Sequence, residues 1–176
     1  MSFVGVISEE QAGPDLRPIY RQIRSRLGFL PNYFLALGRD PQFIAHHLSF
    51  DADIMKDGAV PRTVKERVGL VVSGINSSSY CVALHMELLR ALGIEKGIGR
   101  KLATNYSAAP FDAKEQALYR FAEKLTRKPF DIERADVDAV RQAGWDDAAI
   151  YETVLAAAYF NFLNRVTIGL GLVADF

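Results

Sequence analysis

The chain holds one cysteine, Cys81, in the segment Asn76-Ser77-Ser78-Ser79-Tyr80-Cys81-Val82-Ala83-Leu84-His85. His85 follows it by four positions, so on a helix the two side chains share a face, one turn apart. The serines just before favour an N-cap, which puts the thiol in the first turn of a helix. There it feels the positive end of the helix dipole, and an imidazole one turn on is placed to take its proton. These are the two usual routes to a reactive thiolate. Glu66 lies on the preceding segment. A carboxylate that orients a histidine, and a histidine that deprotonates a thiol, follow the logic of an activated nucleophile. Cys81, His85 and Glu66 are therefore the candidate catalytic residues. Ser78 is the expected N-cap, and Tyr80 a candidate hydrogen-bond donor near the thiol.

Plainer readings exist for each residue. Free cysteine often behaves as a small apolar core filler. Glu66 follows Thr63 by three positions, the spacing of a capping box. The joint spacing of the three favours a functional site over separate structural roles. His46 and His47 are neighbours that point in different directions, and nothing in the sequence ties either to Cys81. No His/Cys/carboxylate spacing suggests zinc, and no glycine-rich phosphate loop or dinucleotide fingerprint is present. Neither a metal nor a cofactor is expected. Asn161, Asn164 and Arg165 interrupt an apolar helix and read as a polar network at a helix or subunit interface.

The elements that must position these residues read almost wholly as helices, with strand-like alternation limited to a few residues near 3–7. The signals predict helices over 15–27, ended by Gly28; after Pro31, stopped at Gly38; and from Pro41, capped by Asp40, to about 56. Further helices are expected over 61–74, 78–92, 95–105, 112–127 with a capping-box start at Asp112 and Glu115, and from Asp131 or Glu133 to Gly144. The last begins after Asp146 and runs through 163, with its furthest limit at 173. The 61–74 and 78–92 helices are joined by only a few residues, so they pack as an antiparallel pair that brings Glu66 toward the cysteine. The expected architecture is a compact all-α bundle, a single domain over 1–176 with residues 1–30 as an extension and first helix packed on it.

Of the 176 residues 49% are apolar, a surplus that favours burial in a homo-oligomer. Lys plus Arg and Asp plus Glu are both 21, and a neutral chain argues against broad capture of nucleic acid. Arg17, Arg21 and Arg24 at helical spacing read as a solvated face or a subunit contact rather than a phosphate site. A lone cysteine forms no intrachain disulfide, which fits a reducing, cytoplasmic setting. Residues 1–11 lack the basic start of a signal peptide. The apolar region 150–173 carries Glu152, Asn161, Asn164 and Arg165, costly in lipid, and reads as a buried helix rather than a membrane span.

The pattern Glu66, eleven residues, Ser78, two residues, Cys81, three residues, His85 resembles the Glu-x11-Cys-x2-Cys-x3-His signature of the alkylhydroperoxidase D-like group of the carboxymuconolactone decarboxylase-like superfamily. Asn76, Tyr80-Cys81, Leu89-Arg90, Gly93 and Phe160-Asn161-Phe162-Leu163-Asn164-Arg165 resemble its peroxidase-related branch. The resemblance spans about residue 31 to the end. It implies an all-α homo-oligomer in which the residue matching Cys81 attacks a peroxide and the residue matching Ser78 closes a disulfide. Serine forms no disulfide, so that internal cycle is closed to this chain. What the resemblance implies is a peroxidase-like oxidoreductase acting on (alkyl) hydroperoxides through Cys81, with an external thiol as reductant. Two alternatives stand beside it. One is a non-catalytic redox sensor or oligomeric scaffold. The other is a lactone decarboxylase-like lyase using Glu66 and His85 as acid and base, with Arg165 as the anion-binding group.

Overall fold

Glycines, prolines and short acidic caps punctuate this chain, and the helices begin and end at them. The computed structural model describes residues 2–91, 93 and 95–174. Among these residues nine α-helices follow one another: α1 (Leu16–Leu27), α2 (Asn32–Leu37), α3 (Pro41–Met55), α4 (Arg62–Ile75), α5 (Ser79–Ala91), α6 (Lys96–Asn105), α7 (Ala113–Arg127), α8 (Arg134–Gln142) and α9 (Asp147–Gly169). Short 3-10 turns at Tyr106–Ala108 and Pro129–Asp131 flank α7. No strand occurs among the described residues, and the fold is all-α as expected. Near the N-terminus, Phe3 N donates to Leu170 O and Ile7 N to Leu35 O, single bonds to separate segments rather than a ladder. Leu92, the expected end of the cysteine helix, lies outside the described residues.

The caps follow from residue chemistry. Gly28 closes α1 in the left-handed region at φ 81, open to glycine at little cost. Asp40 accepts from Phe43 N at 2.9 Å ahead of Pro41. Asp112 accepts from Glu115 N at 2.8 Å, but the Glu115 carboxylate turns to Arg67 at 2.6 and 2.9 Å, so only half of the expected box forms. The reciprocal box opens α8 instead, between Glu133 and Asp136.

Helix α4 packs against α5, α6, α7 and α9. Its buried Val68, Leu70, Val71 and Val72 join Leu102, Leu118 and Phe160 in one apolar cluster. A second cluster gathers Leu16, Tyr20 and Ile23 of α1, Tyr33 and Phe34 of α2 and Ile44 of α3, together with Tyr80 and Cys81. Helix α5 therefore stands between the two: Leu89 belongs to the first and Cys81 to the second. The loop from α3 to α4 is clamped by Lys65, itself buried. Its ammonium lies 3.0 Å from Glu152 and donates to Ile54 O and Lys56 O. Glu152 also accepts from Ala59 N and Val60 N. A buried charge persists only when paired this fully. The clamp fixes the end of α3 beside the start of α4.

Helix α9 ends at Gly169, short of the furthest expected limit. Its buried face carries Ala156, Ala157, Phe160, Asn164 and Thr167. No helix among the described residues is long and apolar enough to cross a membrane. Arg17, Arg21 and Arg24 are exposed on α1.

Candidate active site

The reversal from α4 to α5 is a Schellman turn. Ser77 adopts φ 56, its N–H donates to Gly74 O at 3.0 Å, and Ser78 N donates to Ser73 O at 3.0 Å. Asn76 fastens this turn to α9, donating to Asn161 Oδ1 at 3.0 Å and Asn164 Oδ1 at 2.9 Å. Asn164 in turn donates to Ser73 Oγ. The polar triad on α9 is thus a helix-to-helix network that holds the cysteine turn. Arg165 is exposed and donates to Asn161.

Ser78 takes the N-cap position, its carbonyl accepting from Val82 N at 2.9 Å. Its hydroxyl is not spent on the cap: it meets Thr167 Oγ1 at 3.1 Å. Cys81, only 2% exposed, places Sγ 3.4 Å from the same Thr167 oxygen. Thr167 gives its own hydrogen to Asn164 O at 3.0 Å. A hydroxyl has one hydrogen and two lone pairs, so Thr167 accepts from Ser78 and from the resting thiol.

Glu66 and His85 form a buried pair, His85 Nδ1 2.9 Å from Glu66 Oε2. The capping-box reading of Glu66 is overturned. Helix α4 starts after Pro61, Thr63 lies inside it, and the Glu66 carboxylate points to His85 and to Arg62 Nε at 3.5 Å. Burial opposes ionisation of Glu66, but the hydrogen bond and charge of His85, with Arg62 beside them, outweigh it and hold its pKa below the ordinary glutamate value. An ionised Glu66 accepts from Nδ1–H, which leaves Nε2 as the ring nitrogen open to another partner. Nε2 has no hydrogen-bond partner among the described residues. The His85 ring packs edge-on against Phe160 with centroids 4.8 Å apart. Gly69 makes room for the Phe160 ring, because a Cβ there would collide with Phe160 Cζ.

Cys81, His85 and Glu66 line one cavity of about 550 Å³, walled by leucines 48, 84, 88 and 163 with Arg26, Lys56 and Arg62 also contributing. The sequence places all three candidate residues on this cavity. It does not place the thiol against the imidazole: no hydrogen bond joins Cys81 to His85 among the described residues, and the thiol's partner is Thr167. Tyr80 also lines the cavity, and its hydroxyl accepts from Tyr33 N at 3.1 Å, tying α2 to α5. A smaller cleft of about 280 Å³ beside Tyr106 and Arg127 holds none of the candidate residues.

Sequence reasoning missed a second polar group on the same cavity. His47 is buried on α3, its Nε2 3.3 Å from both Tyr33 Oη and Tyr159 Oη, and Tyr159 donates to Asp51 at 2.9 Å. Burial lowers the His47 pKa to about 4 and raises that of Asp51. The one available signal was the i, i+4 spacing of His47 and Asp51. His46, its neighbour, is exposed. Among the described residues no cluster of three His, Cys, Asp or Glu side chains is arranged to hold a metal ion.

Fold and site together define an all-α protein in which a buried thiol and a carboxylate–imidazole pair share one largely apolar cavity. Residues 41–124 match the carboxymuconolactone decarboxylase family. A peroxidase-related protein from Ralstonia eutropha JMP134, described as an alkylhydroperoxidase AhpD core, superposes with TM-score 0.91 at 25% identity, covering 99% of this chain and 92% of that one. A peroxidase-related protein from Silicibacter sp. TM1040 gives TM-score 0.88 at 26% identity, covering 97% and 92%. The debrominase Bmp8, solved as a cysteine-to-alanine variant in complex with 2,3,4-tribromopyrrole, shares the fold at TM-score 0.83 and 20% identity, covering 99% and 92%. No curated protein matches the chain. The family match and the two peroxidase-related structures support the alkylhydroperoxidase D-like, carboxymuconolactone decarboxylase-like superfamily for this chain.

Proposed function

We propose that this protein is a one-cysteine thiol oxidoreductase that reduces organic hydroperoxides, with Cys81 as nucleophile, His85 as base and Glu66 as the group that orients His85. The observation that carries the reading is the Glu66–His85 pair, 2.9 Å apart and buried, lining the same cavity as the lone thiol. His85 Nε2 takes the thiol proton, a transfer that a general base makes directly or through one water. The thiolate attacks the terminal peroxide oxygen, the O–O bond breaks, and Cys81 becomes a sulfenic acid. The departing alkoxide takes the proton held on His85 and leaves as an alcohol. An external thiol then displaces water from the sulfenic acid to form a mixed disulfide. A second thiol releases Cys81 as its thiol and leaves as a low-molecular-weight disulfide. Ser78 in place of a resolving cysteine makes the external thiol obligatory. The apolar walls favour a hydroperoxide with an organic body over hydrogen peroxide.

The test is consumption of cumene hydroperoxide with dithiothreitol over many turnovers. The rate is expected to vanish in Cys81→Ala. An unchanged rate in that variant rules the reading out, and a single stoichiometric oxidation of wild type with no turnover favours a redox sensor. The lyase alternative keeps one supporting observation: Arg62, beside Glu66 on the cavity, offers the anion-binding group that Arg165 does not. Activity on a lactone acid that survives Cys81→Ala and fails in His85→Ala would favour it.

A further inference from the structure

The hydroxyl hydrogens around His47 can be counted. Tyr159 has one, and it goes to Asp51 Oδ1 at 2.9 Å. Its contact with His47 Nε2 at 3.3 Å therefore needs the hydrogen to come from the imidazole. His47 is neutral at ordinary pH, because burial lowers its pKa to about 4, so the ring carries a single N–H, and the count places it on Nε2. Tyr33 Oη sits 3.3 Å from the same Nε2 and accepts from that shared N–H. The Tyr33 hydroxyl is thus fixed as an acceptor on one side, and its own hydrogen finds no acceptor among the described residues. Tyr33 lines the cavity with Cys81 and is 5% exposed. Burial first, then the nearby Cys81, Asp51 and Tyr80, push its pKa up, so it keeps its proton.

We propose that the Tyr33 hydroxyl is a further catalytic group of this site, donating a hydrogen bond to the oxygen that departs from the peroxide when Cys81 attacks. The inference rests on the thiol oxidoreductase reading above. Sulfur gains the terminal O–H, the O–O bond breaks, and negative charge grows on the departing oxygen. A preorganised donor on a buried side chain stabilises that charge. The proton that completes the alcohol is the one His85 took from the thiol, so Tyr33 remains protonated throughout. His47 is a positioning residue: its N–H fixes the Tyr33 oxygen and so aims the free hydrogen. Tyr159 and Asp51 stand behind it and fix the tautomer.

The test compares two oxidants on one protein preparation, which makes the ratio insensitive to partial misfolding. tert-Butyl hydroperoxide releases a strongly basic alkoxide that needs the donor. Peracetic acid releases a carboxylate, stable as an anion, that does not. Tyr33→Phe is expected to slow Cys81 oxidation by tert-butyl hydroperoxide by about 10²-fold and to leave peracetic acid within about threefold. His47→Gln, which retains an N–H donor, is expected to keep the wild-type ratio, and His47→Leu to shift it toward that of Tyr33→Phe. Equal slowing by both oxidants, or slowing by neither, in Tyr33→Phe overturns the inference. Wild type inert toward both would remove the hydroperoxide reading and this inference with it.

Discussion

Two walls of the cavity are built by different kinds of folding. One carries Glu66, Cys81 and His85 and comes from α4 and α5, joined by a turn of three residues. The other carries Tyr33, His47 and Asp51 of α2 and α3, backed by Tyr159 of α9, which lies 112 positions from His47 in sequence. The first wall is charged and paired, with an ionised carboxylate on an imidazole. The second sets two tyrosine hydroxyls and a carboxylate around His47, which burial keeps uncharged. In the proposed reaction the first wall takes the proton from the thiol, and the second presents a donor to the oxygen that leaves.

The largest expected effect breaks the first wall. His85→Ala should slow oxidation of Cys81 by organic hydroperoxide by about 10²–10⁴-fold, the usual contribution of a positioned base. Stopped-flow oxidation with tryptophan fluorescence or mass detection reads it. A smaller loss than in Tyr33→Phe would reverse the ranking of the walls.

Acid titration separates the walls in stability. The unfolded His47 ring takes up a proton near pH 6.5 while the folded ring stays neutral until about pH 4. The unfolded state therefore binds more protons in that window, and stability falls as pH drops from 6.5 to 4. The loss is on the order of 3 kcal/mol, at about 1.4 kcal/mol per unit. Glu66 has the depressed carboxylate value, so its contribution is present above the ordinary glutamate value and is lost only as pH falls below it. Urea unfolding at pH 7 and pH 4.5 should show the drop in wild type and a much flatter response in His47→Gln. Equal slopes in both proteins would contradict a buried, neutral His47.

Gly69→Ala tests how tightly the first wall is packed. The new methyl group would drive Phe160 against His85, at an expected cost of about 1–3 kcal/mol. A thermal melt gives the stability, and the activity per folded protein should fall as well. An unshifted melt would mean that Phe160 yields freely. The smallest effect is expected from Ser78→Cys. Both side chains already meet at Thr167 Oγ1, so mild oxidant should form a dithiothreitol-reducible bridge to Cys81 with little change in stability. Two thiols that remain freely alkylated after oxidation would place the residues out of reach of each other.

The local wall was legible and the assembled one was not, for a physical reason. Cys81 and His85 are a helical spacing, and Glu66 follows from a short antiparallel connection, so periodicity and turn signals suffice. The same signals locate most helix boundaries, because Gly28, Asp40, Pro41, Asp112 and Asp146 act within a few residues of themselves. Thr167 looked like any residue of an apolar helix. It matters because α9 crosses the cysteine turn, which no local pattern states. No local pattern singles out Tyr33 or Tyr159, and only the packing of α2 and α9 against α3 brings their hydroxyls to His47. Ser78 was placed correctly at the N-cap, yet its hydroxyl went to a helix far along the chain. Local rules located the position, and tertiary packing chose the partner.

The central claim is that the Glu66–His85 pair activates Cys81 across the cavity. It is tested most directly by the second-order rate of Cys81 alkylation with iodoacetamide from pH 5 to 9, in wild type and His85→Ala. The account predicts that wild type reacts at least about tenfold faster near pH 6–7 and that the gap closes as pH rises and hydroxide replaces the base. Superimposable profiles across the whole range would contradict it and return Cys81 to the role of a core thiol.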